Sequence, residues 1–241
     1  MKKFAVFDID GTLFRWQLYY EAVLELRQRD FFDEKTSHAL DTAYHSWQSR
    51  RSAFGEFEKI AIAALDQNQP RLSIAEFKAV SRHIMSESSH KVYSFTRQLA
   101  HDLKKDGYYL LAISGSHQEL AEPFSKIYGF DDCLGWLYGR TATHYTSEVV
   151  RNSVSNKKAL LKEYAALHNL TYHGSVAVGD SKGDIGLLES VERPIAFNPS
   201  QELLDAAMAH SWEVVIERKN IAYHLRKDAH GSVVLAKTDV Y

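Results

Sequence analysis

Short apolar runs that each stop at a polar residue, separated by stretches of helical periodicity, restrict the fold of this chain more than any other feature. Phe4-Ala5-Val6-Phe7 stops at Asp8, Tyr108-Tyr109-Leu110-Leu111-Ala112-Ile113 at Ser114, and Ser175-Val176-Ala177-Val178 at Gly179-Asp180. Pro194-Ile195-Ala196-Phe197 stops at Asn198, and Glu213-Val214-Val215-Ile216 is a fifth run. Continuous apolar runs of this length mark strands buried on both faces. Helical patterns fall between them, at about 91–106, 117–128, 156–169, 184–190 and 200–209. Strands alternating with helices predict an α/β fold built on a parallel sheet. Ligands of such sheets sit beyond the carboxyl ends of the strands, and three of those ends carry Asp8, Ser114 and Asp180.

One stretch interrupts the alternation. From Arg15 to Ser89 no strand is legible, but amphipathic helical segments lie near 17–30, 34–50, 54–67 and 73–88. Ser52 precedes one apolar-periodic run, and Ser73 stands three residues before Glu76, both signals of a helix start. The expected organisation is an inserted all-helical domain over 15–89, covering the strand ends of a core formed by 1–14 and 90–241. Residues 131–150, around Trp136-Leu137-Tyr138-Gly139-Arg140, read as a short β excursion. The last two dozen residues are mixed in charge and weakly patterned, and no element is assigned to them.

Bulk properties remove several classes of function. A chain of 241 residues can bury a substantial core, and 45% hydrophobic with 25% charged residues is ordinary for a folded protein. A net charge of -2 supplies no basic field for nucleic acid or an anionic membrane, so any bound anion must be held locally. Cys133 is the single cysteine, which excludes an intramolecular disulfide and a multi-thiolate zinc site and leaves a packing role. Asp8 and Asp10 break the N-terminal apolar run before a signal-peptide core can form, no stretch reaches membrane-spanning length, and the cytoplasm is the default address. The 12 histidines show no metal-ligand spacing.

The strand ends carry the candidate chemistry. Anionic phosphate monoesters repel nucleophiles, so their catalyst must supply cations, a held nucleophile and a proton for the leaving oxygen. In Asp8-Ile9-Asp10-Gly11-Thr12 the turn implied by Gly11 can bring the Asp10 carboxyl close to Asp8. Asp8 is then the candidate nucleophile and Asp10 the general acid and base. The bland alternative, two solvated acids in a turn, has to absorb a five-residue pattern whose chance occurrence is on the order of 10⁻³. Gly179-Asp180-Ser181-Lys182-Gly183-Asp184 adds a second acidic pair, readable as metal ligands or as a helix cap. A Mg²⁺ site is expected from Asp8, Asp10 through its main-chain carbonyl, Asp180 and Asp184, with Asp184 placed to orient bound water or Lys157. Ser114 and the Gly115 amide are candidate phosphate donors, and the turn is also an ordinary place for serine. Of Lys157 and Lys158 only one can point inward, and Lys157 is favoured.

Four ordered segments, Asp8-Ile9-Asp10-Gly11-Thr12, Ser114-Gly115-Ser116, Lys157 and Gly179-Asp180-x-x-x-Asp184, resemble the motifs of the haloacid dehalogenase superfamily. The resemblance spans residues 4 to about 200 and is closest to the phosphoserine phosphatase subgroup, with its type 1 helical cap. It implies a Rossmann-like core, magnesium, a phosphoenzyme at Asp8 and acid/base chemistry at Asp10. The spacing from Lys157 to Asn169-Leu170 also resembles that of the family lysine. Asn198-Pro199-Ser200 and Ser211-Trp212 resemble subgroup features, but a strand-to-helix turn and a packing aromatic are the favoured readings of their role.

Departures bear on substrate. Phosphoserine phosphatases have a cap glutamate seven residues after the acid/base aspartate, where this chain has Gln17, and Glu58-Lys59-Ile60-Ala61-Ile62 offers no match to their cap arginine. A buried zwitterion needs charged partners, so phosphoserine itself is disfavoured. Arg15, Trp16, Gln17 and Tyr20 are candidate substrate contacts or hinge packing. The expected activity is hydrolysis of a small soluble phosphate ester. Phosphoserine phosphatase proper, a phosphotransferase, a dehalogenase and a silent binding module are alternatives, and Asp10 argues against the dehalogenase.

Overall fold

The N-terminal apolar run forms β1 (Lys2–Phe7), and Phe4, Ala5, Val6 and Phe7 are fully buried in the computed structural model, which describes residues 1–241. In chain order there follow α1 (Leu18–Gln28), α2 (Glu34–Gln48), α3 (Phe54–Asn68), α4 (Ile74–Ser88) and α5 (Ser94–Lys105). Then come β2 (Tyr109–His117), α6 (Gln118–Ile127), β3 (Asp132–Arg140), β4 (Tyr145–Arg151), α7 (Lys157–Leu167) and β5 (Leu170–Gly179). The chain closes with α8 (Ile185–Leu188), β6 (Arg193–Phe197), α9 (Gln201–His210), β7 (Glu213–Arg218), β8 (Ile221–Lys227) and β9 (Val233–Val240). No helix is long and apolar enough to cross a membrane.

Two units result. The first is Met1–Gln17, Ser89–Trp136 and Asn152–Tyr241; the second is Leu18–Ser88 with Leu137–Arg151. In the first, the strand order is β3-β2-β1-β5-β6-β7-β8-β9. Parallel pairing places Phe7 beside Ala112 of β2 and Val178 of β5, so β1 is central and its pairing with both neighbours ends at Phe7. Side chains from β1, β2, β5, β6, α7 and α9, among them Phe4, Val6, Leu111, Leu161, Ala177, Ala196 and Leu203, form one apolar layer on the sheet. Burial on both faces explains why these strands read as uninterrupted apolar runs.

The last two dozen residues contain β8 and the whole of β9, an antiparallel extension of the sheet from β7. They escape sequence reading because β9 is largely exposed and has no apolar alternation to show. The extension is tied to the core. Both carboxylate oxygens of Glu217 in β7 accept from the free amides of Ser94 (3.0 Å) and Phe95 (2.9 Å), capping α5, for which Tyr93 offers no side-chain cap. His224 faces Glu213 at 3.1 Å and Asp239 at 2.8 Å, joining three strands.

The second unit holds the four expected helices α1 to α4. Ser52 does not start its helix, because α3 begins at Phe54 after an extended Ala53 and Ser52 lies one residue too far upstream. Ser73 does accept from the Glu76 amide, at 3.1 Å. Tyr20, Tyr44, Trp47, Phe54 and Phe57 interlock in its interior, with Trp47 stacked on Phe57 at 6.0 Å. The unit also contains the β3–β4 hairpin residues 137–151, which the sequence reading gave to the core. Tyr138 donates to Asp66 (2.7 Å), Ile74 donates to the Thr143 carbonyl (2.8 Å), and Phe77 meets Tyr145 edge to face. Contacts made so far along the chain leave no local periodicity to read.

Candidate active site

Asp8 follows the last residue of β1. Its amide donates to the Val178 carbonyl at 2.9 Å, so the sheet ladder itself fixes its backbone, and its side chain is buried. Lys157, the first residue of α7, donates through Nζ to Asp8 Oδ1 and to Asp184 Oδ1, each at 2.6 Å. Lys158 points away to Glu189 at 3.0 Å and is exposed.

The turn after Asp8 is tight. The amides of Thr12, Leu13 and Phe14 all point at the Ile9 carbonyl, at 3.2, 2.9 and 2.8 Å. Gly11 takes φ +81°, and a Cβ there would lie 2.0 Å from Asp180 Oδ2, so both conformation and space require glycine. The turn carries Asp10 to β2, where Ser114 Oγ donates to Asp10 Oδ2 at 2.6 Å while accepting from the Ser116 amide at 2.9 Å.

Asp184 is wholly buried. Its Oδ2 accepts from the Asp180 amide (3.2 Å), the Ser181 amide (3.0 Å) and Ser181 Oγ (2.9 Å), closing a capping box at the short 3₁₀ turn Lys182–Asp184. Both of its oxygens are therefore engaged. The helix-cap and the site readings of this residue are the same geometry. The Asp180 carbonyl accepts from the Ser200 amide at 2.7 Å, a bond with no signal in the sequence.

One carboxylate oxygen from each of Asp8, Asp180 and Asp184 lies within 4.8 Å of the others. Hard, anionic oxygens at this spacing suit a small divalent cation such as Mg²⁺. Charge balance points the same way, since Lys157 pairs with Asp8 and Asp184 and leaves Asp180 without a salt bridge. Burial pushes the Asp8 carboxyl up to about 7, reinforced by Asp184 and Asp10 and opposed by Lys157. Burial and then the charges of Asp8 and Asp184 lift Asp180 to about 9. Burial alone would lower Lys157, but Asp184 and Asp8 outweigh it and hold the ammonium well above its usual range. The cluster is thus short of positive charge.

The remaining sequence candidates are dispersed. Gly115 directly follows Ser114 on β2. The Arg15 guanidinium lies 5.7 Å from the centre of the Tyr93 ring, its amide donates to the Lys91 carbonyl, and the Trp16 carbonyl accepts from Gly11. Gln17 is half-buried at the edge of the first unit. Tyr20 belongs to the second unit, where it is buried and donates to Glu58 at 2.8 Å. Cys133 forms no disulfide and is buried, as a packing residue should be.

The model for haloacid dehalogenase-like hydrolases matches residues 5–189. A histidinol-phosphatase of Neisseria meningitidis serogroup C is 25% identical over 223 residues, which span 89% of this chain and 99% of that protein. A phosphoserine phosphatase of Methanocaldococcus jannaschii is 22% identical, with 91% of this chain and 94% of that protein covered. Among solved structures, a protein with unknown function from Bordetella pertussis Tohama I superposes with a TM-score of 0.72 at 19% identity, over 90% of this chain and 99% of the other.

Proposed function

This chain belongs to the haloacid dehalogenase-like hydrolase family and is an enzyme of the phosphatase kind, and from that premise we propose that it is a magnesium-dependent phosphomonoesterase that forms an aspartyl-phosphate at Asp8. The observation that carries this reading is the pair of short contacts at neighbouring strand ends, Lys157 on Asp8 and Ser114 on Asp10, both at 2.6 Å. One carboxylate is held beside a cation, and a second is held by a hydroxyl across the turn.

In the first half-reaction an Asp8 oxygen attacks phosphorus, an O–P bond forms, and the bond to the ester oxygen breaks with its electron pair. Asp10 gives its proton to that leaving oxygen. In the second, the Asp10 carboxylate takes a proton from water, whose oxygen attacks the same phosphorus. The Asp8–phosphorus bond breaks, releasing inorganic phosphate and restoring the carboxylate. Lys157 balances the charge on Asp8, and the Ser114 hydroxyl with the Gly115 amide donates to phosphoryl oxygens. Mg²⁺ held by the carboxylates of Asp8 and Asp180 and the Asp10 carbonyl would neutralise the transferring group. Asp184, with both oxygens taken, orients Lys157 and the Asp180 turn.

The substrate proposed is a small soluble phosphate ester. The two phosphatases similar in sequence carry names for different substrates, histidinol phosphate and phosphoserine, and Gln17 stands where the phosphoserine subgroup has glutamate. With p-nitrophenyl phosphate and Mg²⁺ the protein is expected to turn over, EDTA to abolish turnover, and Asp8→Asn to lack it. A fully active Asp8→Asn protein sinks the mechanism. A panel containing phosphoserine, histidinol phosphate, phosphoethanolamine, phosphocholine, sugar phosphates and nucleotides sorts the esters, and efficient phosphoserine turnover contradicts the reading of Gln17.

A further inference from the structure

Ser114 stands at an irregularity in β2. The β1–β2 register ends at Phe7 and Ala112, and the β2–β3 register is irregular between Ile113 and His117, so Ser114 lies in a bulged part of β2 rather than in its regular ladder. A hydroxyl donated to Asp10 across 104 residues needs a fixed origin, and another part of the chain supplies it. Ser153 Oγ donates to the Ser114 carbonyl at 2.6 Å, and both residues are wholly buried.

The segment around Ser153 is itself braced. Asn152 Oδ1 accepts from the amides of Val154 and Ser155, both at 3.0 Å, and Lys157 follows four residues after Ser153. Val154 closes down on the next residue of β2, since a Cβ on Gly115 would lie 3.0 Å from Val154 Cγ2. The same five-residue connection therefore touches Ser114 and Gly115 at one end and delivers Lys157 to Asp8 at the other.

We propose that Ser153 is a positioning residue that braces the irregular part of β2 at Ser114 and so holds the Ser114 hydroxyl toward Asp10. It touches neither the phosphoryl group nor Asp8 and acts through the Ser114 main chain. The inference rests on the phosphomonoesterase reading above. Without Ser153 the Ser114 carbonyl loses a buried partner, the strand end shifts to find another, and a misplacement of a catalytic donor by about 1 Å is worth up to about 100-fold in rate.

The test is a double-mutant cycle on p-nitrophenyl phosphate hydrolysis with Mg²⁺. Ser153→Ala is expected to lower kcat/KM about 10- to 100-fold. In a Ser114→Ala background the same change is expected to cost less than about threefold, because the hydroxyl that Ser153 positions is already gone. Equal losses in the two backgrounds, or no loss in either, overturn the proposal and leave the phosphatase reading standing. A wild-type protein that hydrolyses no ester ends the phosphatase reading instead. The cycle is then read by calorimetric binding of inorganic orthophosphate with Mg²⁺, where a non-additive loss supports the proposal, and an additive loss, none, or no binding by the wild type overturns it. Ser153→Cys, close in volume with a weaker donor, replaces Ser153→Ala if the alanine variant does not fold, with the same outcomes deciding.

Discussion

Two charge clusters in the first unit are built alike and behave oppositely. In one, Lys157 lies between Asp8 and Asp184; in the other, His224 lies between Glu213 and Asp239. The first is sealed, with side-chain exposures of 6%, 5% and 0% for Lys157, Asp8 and Asp184, whereas Asp239 is 36% exposed and has the Lys237 ammonium beside it at 3.2 Å. Burial raises Asp8 to about 7 in the first cluster. In the second, burial also pushes Asp239 up, but hydrogen bonds from Lys237 and His224 prevail and hold it below the usual carboxylate range. A basic side chain between two acids is therefore a fastening where solvent and a neighbouring lysine reach the acids, and a site where acids outnumber the one lysine out of water.

Removing the central side chain from each cluster separates them most sharply. Lys157→Met is expected to cost about 3–5 kcal/mol of stability in metal-free protein, because it leaves buried carboxylates unpaired, and to remove activity. Denaturant unfolding beside a phosphatase assay reads both. Asp10→Asn is expected to lower kcat about 10²- to 10⁴-fold with thermal stability little changed, since the carbonyl proposed for Mg²⁺ is retained.

The pH dependence has opposite signs in the two clusters. Asp8 and Asp180 have folded values raised to about 7 and about 9 from 3.8, so their contribution to stability is present at acid pH and is lost as pH rises through those values. Asp239 is depressed, so its contribution is present above 3.8 and is lost as pH falls through its folded value. Mg²⁺ is accordingly expected to raise Tm by more at pH 8 than at pH 5, which scanning calorimetry at the two pH values checks. The smallest effect is expected from His224→Gln, which loosens the β7–β9 extension by about 1 kcal/mol and leaves kcat unchanged. A large loss of kcat there would erase the distinction between the clusters.

The sequence made the first cluster legible and hid the second for a physical reason. Asp8 and Asp180 follow strands buried on both faces, whose unbroken apolar runs announce where the acids sit. Gly11 is legible because no other residue fits against Asp180. β8 and β9 lie at the sheet edge, where Arg226, Lys227 and Lys237 interrupt any alternation and a bulge between His224 and Leu225 shifts the register. Ser153 carries no motif at all. Its meaning appears only when a residue 39 positions earlier is folded against it.

The central claim is that Asp8 carries the phosphoryl group, and acid quenching of the enzyme during turnover of a phosphorus-32-labelled phosphomonoester tests it most directly. The account predicts label on the peptide containing Asp8, more of it in Asp10→Asn than in wild type, and none in Asp8→Asn. Label on another residue, or full turnover by Asp8→Asn, contradicts it.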